Sequence, residues 1–294
     1  REAYVRHLRI PPDDPLAAEK PGAHITGYSK PPPPERPFAT GIVNFLWDPG
    51  TWPRLLVLTV VSFIALPLIL TALTMMADPI GVGWASSAPP VFLSMVLLAF
   101  GILGGAGWGL VASAYLLAIL QDTAEGNPNV QEWPEPPITD WIVEFFFLFN
   151  SLAASVGCGV VIVQVFGSAS PMIWLAVPLC VFFLFPFFLL SMLEGNSCVM
   201  PVSFKVLGSI FSAWRAWALF YLETVLLAGA HHFHFAVAVR FLGSWGLLPM
   251  GILTAPVLMV YFRILGRLGW CCAEAIREGK EPAITGSGRR RSGR

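Results

Sequence analysis

Three histidines stand together in His231-His232-Phe233-His234. His231 and His234 are one helical turn apart, a spacing at which two imidazoles can share a metal ion. No cysteine or carboxylate lies near in sequence to complete a set. The histidines are therefore expected at a membrane interface, and neither a metal nor a cofactor is expected. Two carboxylates carry the other candidate chemistry. Glu144 and Glu223 fall inside long apolar runs, where an acid is costly and faces a partner or water. Such acids serve as proton or cation sites, or as internal ties. Glu223 has Arg263 and Arg215 at similar depth. Both acids lie near one end of their runs, and no chain of polar residues crosses either run, which favours ties. Cys271-Cys272 reads as a reactive or lipidated thiol pair or, more plainly, as an apolar helix end.

Enzyme signatures are missing. The chain has no Gly-x-Ser-x-Gly, no His-Glu-x-x-His, no Walker loop and no dinucleotide fingerprint. The expectation is a protein that is not an enzyme. One polar stretch stands out instead, running from Ala124 to Trp141 between two apolar runs. It holds Glu125, Glu132, Glu135 and Asp140 with no Lys or Arg. Its prolines limit the conformations lost on binding, and Trp133 is the kind of aromatic that anchors interfaces. These five residues are the expected partner-binding loop. The partner would be another protein's basic patch or this chain's own arginine tail, against the plainer reading of a solvated connector.

The elements that must position these residues follow from composition. Of 294 residues, 55% are hydrophobic and only 12% charged, about half the charge of a soluble domain. The deficit lies in long uncharged runs, so the fold class is an all-α polytopic membrane protein. Six spans are expected, near Leu55–Met76, Val91–Leu120, Trp141–Phe166, Met172–Leu193, Ala216–Val237 and Trp245–Leu265. With a cytoplasmic N-terminus, every Lys and Arg except Arg240 falls on the inner side, as the positive-inside rule requires. Both termini are then cytoplasmic. Of the 11 tryptophans, only Trp108 falls mid-span; the rest sit at interfaces, where indole is favoured.

The words Glu125-Gly126-Asn127, Glu194-Gly195-Asn196 and Glu278-Gly279-Lys280 follow spans two, four and six. Glycine just past a helix is an ordinary cap. Aromatic, partly amphipathic stretches precede spans one, three and five: Phe38–Trp52, Trp133–Trp141 and Val202–Trp214. The two patterns together predict three helical hairpins, each led in by an interfacial segment. Gly101, Gly105 and Gly109 form a small-residue stripe on span two, and Ser151, Ser155 and Gly159 form one on span three, which Glu144 shares. Small residues let helices approach closely in lipid, so spans two and three are expected to pair through these stripes.

Residues 1–37 are a proline-rich cytoplasmic arm, expected to be disordered and extended. Residues 38–280 form the transmembrane domain, and 281–294 a basic tail. The chain opens on Arg1 without a methionine, and is expected to be a processed form or a fragment.

Glu125-Gly126-Asn127-Pro128 through Glu132-Trp133-Pro134-Glu135 and Trp141 resemble a motif of uncharacterised prokaryotic multi-pass membrane proteins. There a short Leu-Pro-Glu-Trp loop precedes a helix; here the order is Glu-Trp-Pro-Glu. The hairpin plan is also similar to Yip1-like membrane proteins. The resemblance implies a helical membrane fold, a prokaryotic inner membrane and a link to membrane organisation. The expected function is thus a non-enzymatic membrane organiser or scaffold. Its partners are the lipid bilayer and other membrane or cytoplasmic proteins, not nucleic acid. The alternative is a small-solute or ion transporter. It draws on Glu144, Glu223, the glycine-rich span two, and Pro67, Pro178, Pro186, Pro249 and Pro256 within spans.

Overall fold

The structure, a computed structural model, describes Phe38 and residues 41–77, 91–131, 133–134, 138–167 and 173–278. The proline-rich arm, the basic tail, Gly279, Lys280, the stretch 78–90, Glu132 and Glu135 lie outside the described residues, as does the side chain of Asp140. Seven α-helices and no strand are found among the described residues. They are α1 (Trp52–Ala77), α2 (Val91–Ala124), α3 (Ile138–Phe166), α4 (Ala176–Glu194), α5 (Phe204–Ser212), α6 (Trp214–Leu242) and α7 (Leu247–Glu278). Short 3₁₀ turns at Asn44–Trp47, Ile173–Leu175 and Gly243–Gly246 lead into α1, α4 and α7.

Among the described residues, five apolar stretches are long enough to cross a membrane: Ala99–Ala124, Trp141–Phe166, Ile173–Glu194, Trp214–Leu242 and Pro249–Ile276. Their make-up explains their form. Where no water competes for backbone groups, a helix satisfies every N–H and C=O within itself. Interior prolines such as Pro186 in α4 and Pro256 in α7 are tolerated in membrane helices, where neighbouring groups and local adjustment offset the bond each removes. Tyr221 Oη donates to Phe183 O at 2.8 Å, one residue past the carbonyl that Pro186 leaves without an intrahelical donor. Large apolar side chains such as Phe166, Leu226 and Phe233 face outward. These features are those of an integral membrane protein.

α7 is the central helix and packs on α1, α2, α5 and α6. Two glycines permit this. A Cβ at Gly251 would lie 3.0 Å from Phe63 Cα of α1. One at Gly266 would lie 2.6 Å from Thr123 Cβ and 2.7 Å from Leu120 O of α2. α1 also packs on α2, and α3 on α4.

α2 and α3 do pack on each other, but the small-residue stripe of α3 faces α4. On α3, Ser151 and Ser155 are fully buried, but Ser151 Oγ lies 3.2 Å from Met192 Sδ of α4. A Cβ at Gly159 would lie 2.6 Å from Val177 Cα, also of α4. Gly109 of the α2 stripe meets α3 in the expected way, with its added Cβ 2.8 Å from Phe145 Cε2. Gly101 is buried and Gly105 half-buried on the same helix. The reason is connectivity. A short link brings α4 straight back against α3, whereas the long link from α2 to α3 is folded against α7.

α7 runs on past Leu265, the expected end of span six, to Glu278. This draws Arg267 and Glu274 into the same helix as Arg263. The segment before α6 forms the short helix α5. Of its expected apolar row, Val206 is buried and Ile210 packs on the core, while Val202 and Trp214 are exposed.

Candidate functional site

The polar contacts concentrate where α1 begins, α2 ends and α7 passes them. α2 stops in a two-bond cap: Asn127 N donates to Asp122 O and Gly126 N to Thr123 O, each at 3.0 Å. Gly126 takes φ +94°, a backbone state open to glycine at little cost. The Asp122 carboxylate then shapes the start of the loop. It accepts Asn127 Nδ2 on Oδ1 and Gln131 N on Oδ2, both at 3.1 Å. Asn129 Nδ2 reaches Asp48 Oδ1 at 3.2 Å, and Val130 is buried. The expected partner-binding loop is therefore folded against its own chain over residues 125–131.

Arg263 of α7 holds the loop from beneath. It is 0% exposed, and its guanidinium is shared between two neutral acceptors. Nη1 donates to Thr123 Oγ1 at 2.8 Å, and Nη2 donates to the Pro128 carbonyl. Thr123 in turn donates to Ile119 O at 2.6 Å, so its hydroxyl is satisfied both ways. The guanidinium carbon lies 5.1 Å from the centre of the Phe45 ring, within cation–π range. Gly266 makes this possible, since any side chain there would push α7 away from Thr123.

Arg267, one turn further along α7, is 6% exposed. It lies beside Gly41, where an added Cβ would be 3.8 Å from Nη2. Its Nε is enclosed and has no hydrogen-bond partner among the described residues. Among the described residues neither arginine is in a salt bridge; the bridge found there joins Lys205 to Glu194. The end of the bundle thus carries two buried cations whose hydrogen-bond acceptors among the described residues are neutral, with the Asp122 carboxylate within electrostatic reach of Arg263.

Trp133, the expected anchor for a partner, is half-buried. It meets Tyr115 edge-on at 5.9 Å, and the Arg54 guanidinium lies 5.3 Å from its ring centre. Arg54 is itself fixed by Nη1 donating to Gly50 O at 2.9 Å. Tyr115 also touches Trp141, at 6.1 Å. Glu125 is exposed.

The remaining candidates lie apart from this site. Glu144 is half-buried on α3. Glu223 is half-buried on α6, and its Oε2 is enclosed with no hydrogen-bond partner among the described residues. The expected tie to Arg263 or Arg215 is not made. Arg263 bonds to Thr123 and Pro128 instead, and Arg215 lies over the Trp214 ring, 5.6 Å from its centre. The depths match, but Arg263 points to α2 rather than α6. His234 Nδ1 contacts Ala230 O at 2.7 Å. His231 and His234 line a hollow of about 10 Å³ with Pro249 and Met250. Among the described residues no three metal-ligating side chains come together. Cys272 is buried and Cys271 half-buried.

Sequence reasoning counted Arg263 and Arg267 mainly as topological charges. The signal that marks them was present: two arginines four residues apart, on one face of the last apolar run. Nothing in the spacing pointed to Thr123, Asp122, Phe45 or Gly266. No family model, no curated protein and no solved structure matches this chain.

Proposed function

We propose that this chain is a non-enzymatic integral membrane protein of a prokaryotic inner membrane that organises partner proteins around it. Six helices cross the bilayer: α1, together with the five apolar stretches of α2, α3, α4, α6 and α7, while α5 lies in the interface. α1 has 26 residues, which span about 39 Å at 1.5 Å each, against a hydrocarbon core of about 30 Å. α1 with α2, α3 with α4 and α6 with α7 form three hairpins, and both termini are cytoplasmic. The Lys and Arg distribution supports that orientation. Cysteines placed in 77–90 and 239–244 are then labelled from outside, and those in 121–140 are not.

The observation that carries the reading is how the polar side chains within the helices are engaged. Arg263 joins α7 to α2, Trp108 Nε1 donates to Ser62 Oγ of α1 at 2.8 Å, and Asn150 Nδ2 donates to Cys198 O at 2.9 Å. They tie element to element, as suits a scaffold. The surface for a partner is the acidic loop, through Glu125, Glu132, Glu135 and Asp140. A photo-crosslinker at position 132 in native membranes tests this. Reproducible adducts to one protein, or to residues 286–294, support the reading; adducts to lipid alone leave the loop a spacer and remove it.

One observation favours the transporter alternative, the enclosed Glu223 Oε2 with no hydrogen-bond partner among the described residues. In that case the purified protein in liposomes moves a cation or small solute, and Glu223→Gln abolishes the flux.

A further inference from the structure

We propose that Arg267 binds the phosphate of an anionic phospholipid at the polar end of the bundle. Arg267 is 94% withdrawn from solvent, being 6% exposed, yet it makes no hydrogen bond or salt bridge among the described residues. Nε alone of its nitrogens is fully enclosed without a partner, so the outer edge of the guanidinium is still reachable. A buried guanidinium in this state is costly. Its neighbour one turn back shows the contrast. Arg263 is deeper and its Nε is likewise without a partner among the described residues, but its Nη1 and Nη2 are taken by Thr123 and Pro128.

Nothing nearby among the described residues supplies the missing anion. The hydrogen-bond acceptors of Arg263 are neutral, and the Asp122 carboxylate lies within electrostatic reach of Arg263 but not of Arg267, so the charge left without an anion is that of Arg267. Asp122 has both oxygens committed to Asn127 and Gln131. Asp48 is committed to Asn129 and Gly50. Over Nη2 stands Gly41, which has no side chain to offer and sits at φ +74° in a tight turn. An anion of matching shape from outside the described residues would complete the site. A phosphate accepts two parallel N–H bonds from the guanidinium fork, and Arg is the side chain suited to that geometry.

The depth selects the source. At the same end, Trp47 and Trp52 stack at 6.0 Å and are 74% and 51% exposed. Exposed indoles of this kind mark the headgroup level of a bilayer. A lipid phosphate is held at that level by its own acyl chains, whereas free phosphate shares the chemistry without that placement.

The test uses the full chain in nanodiscs of phosphatidylcholine, with or without phosphatidylglycerol. Native mass spectrometry counts the lipid retained, and thermal unfolding reads stability. Wild type is expected to retain phosphatidylglycerol and to melt several degrees higher when it is present. Arg267→Gln should retain it about tenfold less well and lose the lipid-dependent rise. In phosphatidylcholine alone the variant should be at least as stable as wild type, because an uncompensated charge has been removed. Arg267→Lys should keep part of the effect. A variant that is equally destabilised in both lipids would show an internal structural role and overturn the proposal. So would equal retention by wild type and Arg267→Gln. Protection by inorganic phosphate in phosphatidylcholine discs, with no preference for phosphatidylglycerol, would assign the site to a soluble ion and overturn the lipid assignment.

Discussion

The ends of α2 and α4 use the same three residues, Glu-Gly-Asn, and use them differently. After α2 the left-handed position is Gly126, at φ +94°. After α4 it is Asn196, at φ 46°, while Gly195 has an ordinary φ of −77°. The hydrogen bonds shift with it: Ser197 N donates to Met192 O and Asn196 N to Leu193 O. The second helix thus runs one residue further into the same word. The loops beyond also differ. The one after α2 is held by a fully buried arginine. The one after α4 is held by a neutral amide, Asn150 to Cys198 O, and by an exposed cluster in which Glu194 accepts Ser203 Oγ at 2.6 Å and pairs with Lys205. What separates the two ends is the tertiary anchor, since Asn tolerates the left-handed state well enough to replace Gly when packing asks for it.

Five substitutions should break or sharpen this contrast, in order of falling effect. Gly266→Leu is expected to force α7 off α2 and cost about 3 kcal/mol or more, read as thermal unfolding in detergent. Its backbone neighbour, Leu120 O, cannot move aside. Next, Arg263→Ala should cost about 2–3 kcal/mol through lost charge-assisted hydrogen bonds and expose residues 125–131 to protease. The loop after α4 should remain resistant, and equal cleavage of both loops would contradict the proposed anchor. A third effect separates the two glycines. Gly126→Ala should cost about 1–2 kcal/mol, the usual penalty of a left-handed non-glycine residue. Gly195→Ala, at negative φ, should stay within about 0.5 kcal/mol of wild type. Similar losses at both would mean that the registers do not differ. The smallest effect is expected of Lys205→Ala, below about 1 kcal/mol, because Lys205 is 61% exposed and surface pairs contribute little.

Much of this was legible beforehand, and the rest was not, for a physical reason. Long uncharged runs announce helices in lipid, and Gly126 announced a cap. The partly amphipathic stretch Val202–Trp214 is where the short helix α5 forms, burying Val206 but leaving Val202 and Trp214 exposed. Which faces meet was not legible. A span that is apolar all round carries no mark of its inward side, so the serines of α3 could be assigned to α2 as readily as to α4. Gly251 and Gly266 escaped notice because neither belongs to a four-residue stripe. Arg263 was misread because a charge near a span end looks like a topological marker or a partner for an acid. Only the packing of α7 on α2 shows that it reaches a threonine and a carbonyl instead.

The grip of Arg263 on Pro128 joins residues 135 apart in the chain, and its bond to Thr123 joins residues 140 apart. The ribosome therefore finishes the first link long before it makes the side chain that will hold it. Until α7 arrives, residues 125–131 have caps, local bonds and the exposed bond from Asn129 to Asp48, but not the clasp of Arg263. Chains halted after α6 should display that segment to a protease, and completed chains should hide it. The arrival of α7 thereby decides whether the first link is open to attack or shielded.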